Sequence, residues 1–258
     1  MEGQKNMRNI FSIILIYFFS TVALADNSLH VPILAYHNFD PSVPGEMTIS
    51  TAKFEQQIKW LKDNGFTIIP LQDLVSYLRN EKSTLPDKPI VITADDGRKS
   101  VYTYMWPIIR KYNVPVTLFI YPTSISNASY AMTWEQLKEL QATGLFDIQG
   151  HTYWHPNFKQ EKKRLSDVEY HKLMYAQFVS SKKIIDKKLG TNITLLAWPY
   201  GIYDDQLGQE ASKAGYVMAF SIDARAADRS EKTMAQPRYM ILEGQSMKTF
   251  AAIASGNK

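Results

Sequence analysis

Residues 90–97 read Ile-Val-Ile-Thr-Ala-Asp-Asp-Gly, an apolar, β-branched run that ends abruptly on two carboxylates and a glycine. The run has the length of one strand, and Gly97 supplies the turn that stops it. Working outward, short apolar runs of the same kind occur at Val31–Tyr36, Phe66–Ile69, Val116–Tyr121, Phe146–Gly150, Thr194–Trp198, Val217–Ile222 and Arg238–Leu242. Between them lie helical patterns at Lys53–Asp63, Leu71–Leu78, Val101–Lys111, Thr133–Gln141, Asp167–Leu189 and Asp204–Ala214. Gly65, Gly144, Gly190 and Gly215 each follow a helix, where a left-handed residue closes the last turn. Strands that alternate with helices are parallel strands joined by crossovers. Eight of them in 258 residues suit one α/β barrel.

A parallel barrel builds its site at the carboxyl ends of its strands, and here those ends are polar. His37 follows the first strand, Asp95 and Asp96 the third, His151 the fifth, Pro199-Tyr200-Gly201 the sixth and Asp223 the seventh. Ionisable groups at four ends predict a shared site. Adjacent carboxylates on a turn can point apart, so that one binds an ion and the other a proton. His151 and His155, four apart, fall on one face if they share a helical turn, within reach of one ion. Two imidazoles and a carboxylate leave coordination positions open to water and substrate, as a catalytic ion requires.

Composition narrows the setting. Hydrophobic residues make up 45% and charged residues 21%, which suits a globular chain with a sizeable core. With no cysteine, a disulfide, a thiolate site and a lipid-modified cysteine are all excluded. Lys5 and Arg8, an apolar run from Ile10 to Leu24, and Ala23-Leu24-Ala25 form a signal peptide over residues 1–25, too short for a membrane span. Residues 26–258 are the mature domain, and its formal charge falls from +4 to +3 because Glu2, Lys5 and Arg8 are lost. Export to the periplasm or beyond is expected, with no membrane span after cleavage and a monomer in solution. Basic clusters near Lys159–Arg164 and Lys182–Lys188 carry interspersed acids and no reader motif, so no nucleic-acid partner is expected.

Three segments in order, Thr93-Ala94-Asp95-Asp96-Gly97, His151-Thr152-Tyr153-Trp154-His155-Pro156 and Trp198-Pro199-Tyr200-Gly201, resemble the motifs of the polysaccharide deacetylases with a NodB-homology domain, carbohydrate esterase family four. The resemblance covers about Val31 to Leu242 and implies a distorted (β/α) barrel of seven to eight parallel strands. It implies that Asp95 is the general base and that Asp96, His151 and His155 hold a divalent metal. Zinc is the expected ion, with cobalt, nickel and iron as alternatives. A backbone N–H near Tyr200 would serve the oxyanion, and Trp198 and Tyr153 are candidates to flank the acetyl group or the sugar.

Three departures from the family pattern carry information. Ala94 stands where the family has Phe. Ala197 stands where it has the Arg that pairs with the base, which makes Arg238 the candidate replacement and Arg225 the runner-up. The usual C-terminal His acid is missing, since no His follows His171. His37, in Ala35-Tyr36-His37-Asn38, resembles the branch that deacetylates poly-β-1,6-N-acetylglucosamine of biofilm matrix, in which a permutation puts this motif first. His37 is therefore the expected general acid. Peptidoglycan and chitin-type oligosaccharides are the alternative substrates. A non-catalytic sugar-binding barrel is the alternative of another class, which the retained Asp95 disfavours. His171, in an amphipathic helix, and His30 are expected to have no catalytic role.

Overall fold

A computed structural model describes residues 29–256. The expected signal peptide, and the cleavage point after it, lie outside the described residues. Ten strands occur among the described residues: β1 (Ile33–Tyr36), β2 (Asn38–Asp40), β3 (Thr48–Ser50), β4 (Thr67–Ile68), β5 (Pro89–Asp95), β6 (Val116–Ile120), β7 (Phe146–Gly150), β8 (Leu195–Ala197), β9 (Met218–Phe220) and β10 (Tyr239–Met240). The main sheet runs β10-β1-β5-β6-β7-β8-β9, with β4 attached to β5, and every pairing in it is parallel. The segment after β9 closes the ring. Gln236 donates its N–H to Ala219 and accepts from Ser221, and a few residues later Ile241 donates to Ala35 of β1. The arrangement is a parallel barrel, as the strand pattern predicts, and it is distorted in the way that the resemblance to the NodB-homology domains implies.

Alternation along the strands builds two cores. Ile90, Ile92 and Ala94 of β5 face outward and pack with Leu34, Tyr36, Val116, Leu118 and Ile120 beneath the surrounding helices. Val91, Ile33, Phe119, Leu195, Ala197, Met218 and Phe220 face inward. The helix Leu71–Leu78 plugs the amino end of the barrel with Leu71, Leu74, Val75, Tyr77 and Leu78, which belong to the same inner cluster. Apolar side chains fill most of the lower barrel, where Thr117, Asp147 and Gln149 are polar exceptions and Gln72 of the plugging helix donates to Asp147 at 3.2 Å, while the inward residues at the carboxyl ends of the strands are left to form a site. The period of two therefore decides which face of each strand meets the site.

All eight expected strands are present, and the six expected helical segments form. Two of these segments widen into π turns, Val101–Met105 and Ala176–Ser180. Helices Phe158–Arg164 and Met247–Ala254, together with β2 and β3, are additional to the sequence reading. Gly65, Gly144, Gly190 and Gly215 all have positive φ, in accordance with their closing role.

Candidate active site

A cavity of about 480 Å³ opens at the carboxyl end of the barrel. Every strand of the ring contributes to its wall: His37 after β1, Asp95 at the end of β5, Tyr121 after β6, His151 after β7, Trp198 after β8, Ile222 after β9 and Met240 in β10. Asp96 and Asp95 diverge because Asp96 has φ +73 and Gly97 φ +64. Two successive left-handed residues turn the chain, and a Cβ at position 97 would sit 2.8 Å from Ile125 Cδ1, so the turn needs glycine for space as well as for conformation.

Asp96, His151 and His155 each offer one ligand atom, all within 4.8 Å of one another. Asp96 Oδ1 lies 3.8 Å from Nε2 of both histidines. Its other oxygen, Oδ2, accepts from Arg98 at 3.2 and 3.0 Å. His151 Nδ1 lies 2.8 Å from the Ala197 carbonyl, which accepts its proton and leaves Nε2 as a lone-pair donor facing the triad. Burial, reinforced by the neighbouring His151, lowers His155 to about 4, so its imidazole is neutral, as a ligand must be. The donor set fits one divalent ion on all three counts.

The two histidines do not share a helical turn, contrary to the expectation from their spacing. Residues 151–155 form a loop in which Thr152 has φ +67 and His155 φ +61, and the ring centroids still lie 4.7 Å apart. Strand β7 ends at Gly150, and the chain reverses at Thr152 instead of coiling. The π turn Ala176–Ser180 supplies buried Gln177, whose Oε1 accepts from the N–H groups of Tyr153 and Trp154 at 3.0 and 3.2 Å. Ser181 Oγ donates to the Thr152 carbonyl at 2.7 Å. These bonds hold the loop open in the shape that brings the imidazoles together.

Beside the triad, Asp95 and Arg238 form a fully buried bidentate pair, both oxygens accepting at 2.8 Å. Arg238 also donates to the Ser221 carbonyl at 3.0 Å and to Thr93 Oγ1 at 3.1 Å, which ties β5 to the segment after β9. Burial by itself would raise the Asp95 carboxyl. The Arg238 guanidinium, with smaller help from His151 and His37, overrides burial and holds Asp95 well below the usual carboxylate range. Arg225 is exposed on the surface, where it pairs with Glu231. The guanidinium missing at Ala197 thus has a counterpart in Arg238, carried by the segment that closes the ring between β9 and β1.

His37 is half-buried on the cavity wall, and its Nδ1, itself shielded from solvent, has no hydrogen-bond partner. Burial pushes its pKa below the ordinary value, against the smaller upward pull of Asp95 and Asp96. The turn behind it is fixed by Asn38, which accepts from Ser100 Oγ at 2.5 Å and donates to Thr48 Oγ1 at 3.0 Å.

The other expected residues divide. Tyr200, with φ +56, stands at the rim with its ring centroid 4.6 Å from that of His155. Trp198 touches the cavity but is 1% exposed, packs on Phe158 and Phe178, and donates Nε1 to the Met234 carbonyl at 2.7 Å, so most of its ring is core. Tyr153 does not line the cavity, because the left-handed turn at Thr152 sends it toward a separate surface depression beside Trp134 and Lys188. Asp223 likewise stays outside, bound to Tyr203 and Ser221. Tyr121, Arg98 and the apolar trio Met47, Ile222 and Met240 line the cavity without having been singled out from sequence. Tyr121 stands first after its strand, the signal that identified His37 and His151. His171 is exposed on its helix, and His30 pairs with Asp228 at 2.8 Å.

The sequence profile of the polysaccharide deacetylases matches residues 82–219, just over half of the chain. YxkH of Bacillus subtilis is 28% identical over 234 residues, covering 88% of this chain and 77% of that protein. The poly-β-1,6-N-acetyl-D-glucosamine N-deacetylase of Staphylococcus aureus is 26% identical over 198 residues, covering 75% of this chain and 68% of that one. Among solved structures, the Streptococcus pyogenes deacetylase PplD, determined with acetate, superposes with a TM-score of 0.78 at 25% identity, over 88% of this chain and 99% of that one. IcaB from Ammonifex degensii shares the fold, with a TM-score of 0.75 at 24% identity over 88% and 96% of the two chains. With motif order, barrel and profile in agreement, the chain belongs to the polysaccharide deacetylases, hydrolases that act on N-acetyl amides.

Proposed function

We propose that the protein is an exported, metal-dependent N-deacetylase of N-acetylglucosamine polysaccharides, with poly-β-1,6-N-acetylglucosamine as its substrate. The observation that carries this reading is the meeting, around one cavity, of an open Asp-His-His triad, an ionised second carboxylate and a histidine with a buried, unpartnered nitrogen. Asp96, His151 and His155 would hold a divalent ion, zinc by default, which would supply Lewis acidity to the acetamide carbonyl and make water a stronger acid. Asp95 accepts the proton of the attacking water, its orientation fixed by Arg238. The Tyr200 backbone N–H stabilises the oxyanion. As the C–N bond breaks, His37 gives a proton to the departing amine nitrogen, and acetate and the free amino sugar leave. Proton return through solvent resets both residues. Met47, Ile222 and Met240 offer an apolar patch for the acetyl methyl group.

The preference for the β-1,6 polymer is supported by the Staphylococcus aureus relative and by His37. Both His37 and Arg238 fall outside the matched segment 82–219, so the two residues that set this chain apart lie beyond the shared profile. Residues 26–258 make up the working domain of this proposal. The signal-like amino terminus supports delivery to the periplasm or cell exterior, and no helix among the described residues is long and apolar enough to cross a membrane. The test is acetate release from β-1,6 and β-1,4 N-acetylglucosamine oligomers and from peptidoglycan, for wild type and His37→Ala. The β-1,6 oligomer is expected to be turned over fastest, and His37→Ala to lose about 10²-fold or more in kcat. Faster turnover of peptidoglycan, or an unimpaired His37→Ala enzyme, would remove the substrate assignment or the acid assignment respectively.

A further inference from the structure

Six large apolar side chains are exposed among the described residues, and three of them, Tyr130, Trp154 and Tyr200, line one cleft of about 460 Å³. The cleft adjoins the cavity and shares Tyr121, His155 and Tyr200 with it. Each exposed ring is fixed from one side. The Arg98 guanidinium lies 4.8 Å from the Tyr130 centroid, and the Tyr130 hydroxyl lies 2.8 Å from that of Tyr121. Trp154 meets Tyr153 edge to face at 5.7 Å, and its backbone N–H donates to Gln177 Oε1 at 3.2 Å. Tyr200 meets His155 edge to face at 4.6 Å. The floor between the rings is polar, with Thr123, Ser124 and Asn127.

Water-exposed rings held rigidly in separate places, with polar groups between them, do not form a continuous apolar patch of the kind a protein or lipid would cover. They match a pyranose, which has flat C–H faces and a rim of hydroxyls, and they bind it without having to be ordered first. We infer that this cleft is a second sugar subsite, which takes the N-acetylhexosamine ring next to the one whose acetyl group enters the cavity, with Trp154 as its main platform. The inference rests on the deacetylase reading of the cavity. It explains why the motif residue just before His155 is a tryptophan turned outward, whereas the ligand itself turns inward.

The test compares wild type, Trp154→Ala and Trp154→Phe on two substrates, 4-nitrophenyl acetate, which needs the cavity alone, and an N-acetylglucosamine pentamer, with pentamer binding measured in parallel by calorimetry. Trp154→Ala should raise KM for the pentamer by about five- to ten-fold, leave kcat within about two-fold, and leave hydrolysis of the small ester unchanged. Trp154→Phe should keep most of the affinity. An unchanged pentamer KM, or an equal loss on both substrates, would overturn the subsite. If wild type binds the pentamer through Trp154 but releases no acetate, the deacetylase reading fails while the subsite stands. Equal acetate release by wild type and Trp154→Ala removes the subsite and leaves deacetylation in place.

Discussion

Replacing Arg238 with methionine removes one partner of a fully buried ion pair while approximately conserving volume. The wild-type guanidinium makes four hydrogen bonds, two to Asp95 at 2.8 Å, one to the Ser221 carbonyl and one to Thr93. Without it, a carboxylate that is 1% exposed has no countercharge. Stranding a buried charge in this way costs about 3–5 kcal/mol. The alternative open to the variant is protonation. Burial, no longer opposed by Arg238, then drives the Asp95 carboxyl above its ordinary value. Two measurements follow. Urea unfolding should show the loss at neutral pH, and a double-mutant cycle with Asp95→Asn should recover about 3 kcal/mol of coupling. In the pH profile, wild-type kcat/KM should show no acid limb from Asp95, because its carboxyl stays ionised, whereas Arg238→Met should acquire one. Arg238→Lys, which keeps charge but loses the bidentate fork, should fall between them. A stability loss under about 1 kcal/mol together with an unchanged acid limb would refute the claim that Arg238 replaces the cation missing at Ala197.

Gly201→Ala should destabilise the fold by about 1–3 kcal/mol and lower kcat, because φ is +65 and the new Cβ would lie 2.5 Å from Ile222 Cγ1, displacing the rim that carries Tyr200; thermal unfolding and acetate release would check both. His155 has its pKa lowered from 6.5 to about 4 by burial and by His151, so the folded state favours its neutral form. Its contribution to the stability of metal-free protein is therefore complete above pH 6.5 and lost as pH falls from there toward 4, by about 3 kcal/mol at most. His155→Asn should flatten that part of the pH dependence of the urea midpoint, and parallel curves for the two proteins would refute it.

Much of this architecture is legible in the sequence because the barrel repeats one physical rule. Apolar β-branched runs that end on polar residues mark strands and the site together, and Ile90–Asp96 does so most plainly. The segments that escape are those with little period to read. Phe158–Arg164 buries only Phe158 and is otherwise charged, while β2 and β3 are three residues each. A spacing of four between His151 and His155 fits a helical turn and a left-handed loop equally well, and what separates them is Gln177 and Ser181, far along the chain. The same limit applies to Tyr153 and Trp154, since only the turn at Thr152 sets which way each ring faces. The choice between Arg238 and Arg225 depends on the passage of residues 236–241 between β9 and β1, a long-range pairing with no local signature. The positions of Asp95, Asp96 and His37 required only the strand ends.

The most direct measurement is acetate release from a β-1,6 N-acetylglucosamine pentamer by protein stripped of metal with chelator and then titrated with zinc. Activity should vanish on stripping and return in proportion to added zinc until one ion is bound per chain, with Asp96→Ala unable to recover. Full turnover by the stripped protein, or recovery by Asp96→Ala equal to that of wild type, would contradict metal-dependent deacetylation at Asp96, His151 and His155.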